Sequence, residues 1–300
     1  MSKLNAVLFK GFREYESNRA KMNDAIMALH VSRHLALGRL ETQPYSNELA
    51  STLFPLTQDI GRLNLPVHKI QEVIEASERH FAYMAIPHVL AVHHEAIKSL
   101  QRLWLGQGQS QAKRLVSKSR PLTDEILGKE EFGETHTNLK MLTGADLPDD
   151  LLTFMEVARR VRNRIIHAGG VSGGNLNSEL RNGLKSGSKL WSDWAGRPLA
   201  LGANKEELTL DVQDVIAVLA GSTKLARLAC AAVAKRIDNS VWADVAVLDF
   251  KEQSPRVYGH ADTRVRGLLG FSRTYYYAVK LSRFELEDAI SRERSTHNKK

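Results

Sequence analysis

The chain has 300 residues, 43% of them hydrophobic, with a formal charge of +8 and a pI near 9.5. This is enough apolar material for one large domain or a domain with appendages, and the charge favours a polyanionic partner. The single cysteine, Cys230, excludes a disulfide framework and a cysteine metal site, and it reads as a small buried hydrophobe.

Helical periodicity dominates in chain order. Between Glu16 and Leu37, the apolar residues Met22, Ile26, Leu29 and Leu37 keep to one face, which Arg33 interrupts. Residues 42–66 carry Pro44, Pro55 and Pro66 and predict short helices and turns. Val67 to Leu105 reads as the longest helical stretch, interrupted at Pro87 and broken by Gly106 to Ser110. Residues 111–142 predict shorter helices with loops. Asp146-Leu-Pro-Asp-Asp150 then supplies an acidic, proline-bearing helix start, and that helix runs to His167 before stopping at Gly169-Gly170.

A glycine- and serine-rich connection follows as far as Asn204. Within or just after it, Pro198 to Leu201 and Glu207 to Leu210 can pair as a small hairpin. Asp211 to Ile237 is a further helix, with Val215, Leu219, Leu225, Leu228 and Val233 available for burial. The tail reads differently: Val241 to Phe250 and Thr274 to Leu281 are expected to be strands. Neither a secretory leader nor an uninterrupted apolar run of about 20 residues is evident, so a cytoplasmic protein without a membrane partner is expected.

The chemistry concentrates in Arg162-Asn-Arg-Ile-Ile-His167, followed by Ala168-Gly169-Gly170. At about 100° per residue, Phe154, Val157, Ala158, Val161 and Ile165 form one apolar stripe. Glu156, Arg159, Arg160, Asn163 and His167 fall on the opposite face, Arg162 lies on the flank, and Ile166 projects between flank and polar face. A regular helix sets Arg162 and His167 roughly 140° apart, so either the helix distorts near its end or a second copy of the chain completes the site. Histidine exchanges a proton near neutrality, and arginine holds two phosphate oxygens at once. Cleavage of RNA by its own 2′-hydroxyl needs a base, an acid and charge stabilisation, all available here without a metal. The competing reading pairs Arg162 with Glu156 or Asp150 and uses His167 to cap the helix C-terminus. The same arginine–histidine spacing at Arg62–His68 is broken by Pro66, and at Arg292–His297 it falls in the terminal residues.

The pattern Arg-Asn-x-x-x-His at a helix end, then Gly-Gly and a later long helix, resembles the HEPN superfamily (higher eukaryotes and prokaryotes nucleotide-binding domain). Arg162, Asn163 and His167 match its arginine, the polar residue after it and its histidine. Val157-Ala-Arg-Arg-Val161 and Ala168-Gly-Gly170 match the wider style of bacterial members, and the resemblance spans residues 67–238. It implies an all-α bundle that dimerises through the motif helices and a metal-independent endoribonuclease leaving 2′,3′-cyclic phosphate ends, often in toxin–antitoxin or anti-phage defence. The expectation is therefore a mainly α protein with three parts: an N-terminal helical extension (1–66), a HEPN-like helical domain (67–238) and a small strand-containing α+β appendage (239–300). Arg162, Asn163 and His167 are the expected catalytic residues, and Arg159, Arg160 and Arg164 the expected RNA contacts. The expected partners are RNA, a second copy of the chain and an antitoxin or regulatory protein, with no cofactor and no metal. A non-catalytic RNA- or protein-binding dimer of the same fold is the alternative.

Other features carry weaker signals. His80, His88, His93, His94 and Glu95 crowd one helix without a metal-binding pattern, and read as partly exposed helix histidines. Gln101 to Arg120 holds Arg102, Lys113, Arg114, Lys118 and Arg120 with no acid, a second phosphate-tracking surface or a solvated helix face. Ser172-Gly-Gly174 reads as a linker. From Lys251 onward, eleven Lys or Arg stand against six Asp or Glu, and Arg264, Arg266, Arg273 and Tyr275-Tyr-Tyr277 can grip single-stranded RNA or belong to a small sheet.

Overall fold

A computed structural model describes residues 6–42, 47–107, 133–170, 178, 183–200 and 208–297. Most of Gln101–Arg120, and Ser172-Gly-Gly174, lie outside these residues. Among them the protein is mainly helical, with α1 at Lys10–Glu41, α2 at Ala50–Leu53, a 3-10 turn at Ile60–Leu63 and α3 at Val67–Gln107. There follow α4 at Thr135–Thr143, α5 at Asp149–Ala168, α6 at Lys185–Ala195 and α7 at Val212–Ala234. The chain then forms α8 at Asn239–Gln253, α9 at Pro255–Gly259, α10 at Ala261–Tyr275 and α11 at Arg283–His297.

The chain divides into two compact units. One comprises Met1–Asn18, Ala91–Leu152 and Gly221–Lys300, the other Arg19–Leu90 and Thr153–Ala220.

The second unit holds the arginine–histidine motif. Between α1 and α3 the chain turns over a small core of Leu40, Ala50, Val67 and Ile70, covered by Leu53, Phe54, Ile60, Leu65 and Ile74. A single antiparallel bridge, Leu49 to Pro66, closes this turn. The described part of the proline-punctuated stretch, residues 47–66, is thus short helices and turns, as its composition predicts. α6 is the element that composition hides: the run of Gly and Ser after the motif suggests a connection, yet Trp191 is fully buried there. The Trp191 indole donates to Asp214 Oδ1 at 2.8 Å, and its ring lies 5.7 Å from that of Phe154. Gly187 meets the backbone of Thr153 and Phe154 so closely that a methyl group there would overlap it. Leu201 and Glu207 of the expected hairpin lie outside the described residues, and among the described ones it is represented by one antiparallel bridge, Ala200 to Thr209.

The first unit contains the tail, and both expected strands are helical or turn. Val241 to Phe250 lies within α8, where Trp242, Ala243, Val245, Ala246, Val247, Asp249 and Phe250 are buried. A helix buried nearly all round has no apolar stripe, and a short β-branched apolar run then cannot be told from a strand. Thr274 and Tyr275 end α10, and Tyr276 to Lys280 form a turn. The cause lies far along the chain: the Tyr276 hydroxyl donates to Asp249 Oδ2 at 2.7 Å, and Arg13 donates to both Asp249 oxygens at 2.7 Å. The Arg13 guanidinium also donates to the Leu8 carbonyl and covers the Tyr275 ring at 4.6 Å from its centroid. The Asp249 charge is buried, and these donors offset its desolvation.

One further expectation changes. α3 continues through Pro87, which removes one backbone bond without ending the helix. α7 is long and apolar enough to cross a bilayer by length and composition, but more than half of its most apolar stretch is buried inside the protein. Cys230 is part of this burial. Its thiol reaches the Val7 carbonyl at 3.3 Å, and burial pushes it up to about 12, away from nucleophilic reactivity.

Candidate functional site

α5 positions the motif. Asp149 and Asp150 lie in its first turn, where acidic groups complement the helix dipole, and Asp150 Oδ1 accepts the Leu151 N–H at 2.8 Å. Phe154, Val157, Ala158 and Val161 are fully buried, and Ile165 is half-buried. Phe154 seats this stripe against α6, edge-on to Trp194 at 4.8 Å. Burial of the stripe fixes the helix rotation, so the polar face is set by packing rather than by polar contacts.

On that face Glu156 accepts two hydrogen bonds from Arg159, at 2.7 and 2.6 Å, and one from Arg160 Nε at 2.8 Å. Burial pushes the Glu156 carboxyl up, but the hydrogen bonds and charges of both arginines outweigh it and hold the group below its ordinary value. Two of the expected RNA contacts are therefore engaged with one carboxylate, leaving a net charge of one between the three groups. Glu156 is not the partner of Arg162. Arg162 Nη1 donates instead to Asn163 Oδ1 at 2.9 Å. This uses one guanidinium N–H and the amide oxygen, and leaves the Asn163 amide nitrogen as a donor.

The helix stays regular through Ala168, so distortion does not bring Arg162 and His167 together. On one chain they diverge by roughly 140°. His167 is exposed in the last turn, one turn beyond Asn163, and Ile166 beside it is 48% exposed. Arg162, Asn163 and Arg164 are half-buried.

A clamp that the sequence does not announce holds the helix end. Gly169 and Gly170 adopt φ of 58° and 82°, a left-handed region that favours glycine. The Gly170 N–H donates to the Arg164 carbonyl at 3.0 Å, and the Gly170 carbonyl accepts from the Leu208 N–H at 2.7 Å. The Leu208 carbonyl in turn accepts the Tyr83 hydroxyl at 2.8 Å. The Tyr83 ring packs so tightly on Gly170 that any side chain there would collide with it. Gly-Gly thus does more than stop the helix: it fixes the path of the chain just beyond His167. Glu156 was recoverable from its three- and four-residue spacing to Arg159 and Arg160. Nothing in the sequence marks Tyr83.

The histidine-rich helix divides. His80 and His88 are exposed, whereas His93 is fully buried with its Nε2 at 2.9 Å from His136 Nε2. Burial, and then the neighbouring imidazole, lowers His93 well below its ordinary value; burial, and then His94, lowers His136 to about 4. His94 Nδ1 lies 2.8 Å from the Thr135 hydroxyl. Among the described residues no three His, Cys, Asp or Glu side chains are grouped to hold a metal ion. The chain matches no protein-family model, no curated protein and no solved structure.

Proposed function

We propose that the protein is a metal-independent endoribonuclease of the HEPN type, a cytoplasmic homodimer whose site forms where two α5 helices meet. The observation that carries this reading is the Arg162–Asn163 hydrogen bond, one turn before the exposed His167 on a helix whose end is clamped. An always-charged fork, an oriented amide and an accessible imidazole stand on a rigid element, which is what a phosphate-transfer site needs.

A single chain cannot close its own fork and imidazole over one phosphate, and two chains can. In the pooled site, one His167 takes the proton of the RNA 2′-hydroxyl, whose oxygen attacks the adjacent phosphorus. The bond from phosphorus to the 5′-oxygen breaks, and the other His167 protonates that oxygen. The products are a 2′,3′-cyclic phosphate and a 5′-hydroxyl. The Arg162 guanidinium holds the non-bridging oxygens, where charge accumulates in the transition state, and Asn163 orients it. Ile166 supplies apolar contact between the helices. Such an activity in a cytoplasm calls for restraint, so an antitoxin or regulatory protein belongs to this reading.

One observation favours a second reading. The closed Glu156–Arg159 and Glu156–Arg160 pairs leave little free charge beside the motif, which suits a dimeric module that binds RNA or protein without cutting it. RNA incubated with the purified protein and excess chelator separates the two. The nuclease reading requires cleavage that Arg162→Ala and His167→Ala abolish, and the binding reading requires none.

A further inference from the structure

From Thr263 to Phe284 the sequence carries five cations and no Asp or Glu. The structure sorts these residues sharply. Arg264 turns inward, donating to the carbonyls of Tyr258 and Gly259. Arg266, Arg273, Lys280 and Arg283 are exposed. Arg266 and Arg273 are seven residues apart on α10, so they share one face about 10 Å apart, with the exposed Gly270 between them.

Two exposed aromatic rings, Tyr277 and Phe284, follow within eleven residues of Arg273. Tyr276 is fully buried on Asp249, and the turn that follows directs the next ring, Tyr277, outward at 37% exposure. Lys280 adopts φ of 50° in the same turn. Ser282 and Glu285 then form a reciprocal capping box: Glu285 accepts from the Ser282 N–H and hydroxyl at 2.7 Å, and the Glu285 N–H donates to Ser282 Oγ at 3.2 Å. The box fixes the first turn of α11 and leaves Phe284 77% exposed. Folding stabilises an outward phenylalanine very little, and a short stretch of chain that exposes cations together with open rings is complementary to a polyanion whose bases stack.

We infer that Arg266, Arg273, Lys280, Tyr277 and Phe284 form a binding surface for single-stranded RNA, separate from the α5 motif. The cations contact phosphates and the rings stack on bases, so affinity depends on salt and hardly on sequence. This inference takes its ligand from the nuclease proposal and rests on that reading for its occupant, but binding is measurable without cleavage.

The test uses the full chain carrying His167→Ala and a fluorescently labelled single-stranded oligouridylate, with anisotropy read across a range of salt. Arg266→Glu with Arg273→Glu is expected to weaken binding at least tenfold. It should also flatten the slope of log affinity against log salt by about 1.4, two contacts at about 0.7 each. Phe284→Ala should weaken binding by about fivefold or more with the slope unchanged. A control of equal charge change, Lys185→Glu with Lys189→Glu, should cost less than twofold. Arg266→Gln with Arg273→Gln replaces the reversal if that variant does not fold. An unchanged slope in the double variant, or an equal loss in the control, overturns the inference. So does tighter binding of phosphatidylserine vesicles than of RNA through the same residues. Failure of the parent chain to cleave RNA would sink the nuclease reading and leave this measurement standing.

Discussion

Arg162 Nη1 donates to Asn163 Oδ1 at 2.9 Å, so two adjacent motif residues act as one oriented unit on a regular helix. Truncating the amide frees the guanidinium to rotate without removing it. Asn163→Ala is expected to slow RNA cleavage about ten- to hundredfold, the range for losing orientation but not charge, with the melting temperature nearly unchanged. Wild-type rates in the variant would remove Asn163 from the mechanism.

The two glycines at the end of α5 differ in what surrounds them. Gly169→Ala meets open space and only a left-handed φ, costing about 1 kcal/mol. Gly170→Ala adds a collision with the Tyr83 ring and is expected to cost about 2–4 kcal/mol. Denaturant midpoints should rank wild type above Gly169→Ala above Gly170→Ala, and Tyr83→Ala should relieve part of the Gly170→Ala loss.

Glu156 restrains Arg159 and Arg160, so its removal should release cation for RNA. Glu156→Gln is expected to tighten RNA binding at low salt and to steepen the salt slope by about 0.7 to 1.4. The carboxyl sits below its ordinary value in the folded protein, so its stabilisation is present above the ordinary carboxylate range and is lost as pH falls through the depressed value. Glu156→Gln should therefore be less stable than wild type at neutral pH, with the difference shrinking toward the acid end.

The buried His93–His136 pair predicts a different acid response. Both imidazoles are held neutral in the folded state, while the unfolded chain takes up protons near the ordinary histidine value of 6.5. Protonation then favours unfolding, so stability falls as pH drops from about 6.5 toward about 4, by about 2–3 kcal/mol for His136. Among the described residues His94 is the other imidazole bearing on the pair, and His136→Gln should flatten the melting-temperature profile between pH 7 and pH 5. A parallel profile in the variant would contradict this account.

The motif helix was legible because its signals are local. Asp149-Asp150 at its start, a 3.6-residue apolar stripe and Gly-Gly at its end each act within a few residues, and together they give its limits closely. The tail was not legible because its decisive contacts are distant. Asp249 gathers Arg13 from the far end of the sequence and Tyr276 from beyond α10, turning an aromatic run that reads as a strand into a helix end and a turn. Trp191 similarly makes a buried helix of a stretch whose Gly and Ser content suggests a connection. At the candidate site, spacing reveals the residues of the α5 face, whereas Tyr83 and Leu208, which aim the helix end, come together only through the fold.

Whether two α5 helices form a ribonuclease site is decided by the chemical ends of RNA fragments produced from a mixed RNA pool in excess EDTA. A pooled Arg162–His167 site gives 2′,3′-cyclic phosphate and 5′-hydroxyl ends, and no fragments from Arg162→Ala or His167→Ala protein that remains folded. Intact RNA with the wild-type protein, or cleavage that persists in both variants, would contradict it.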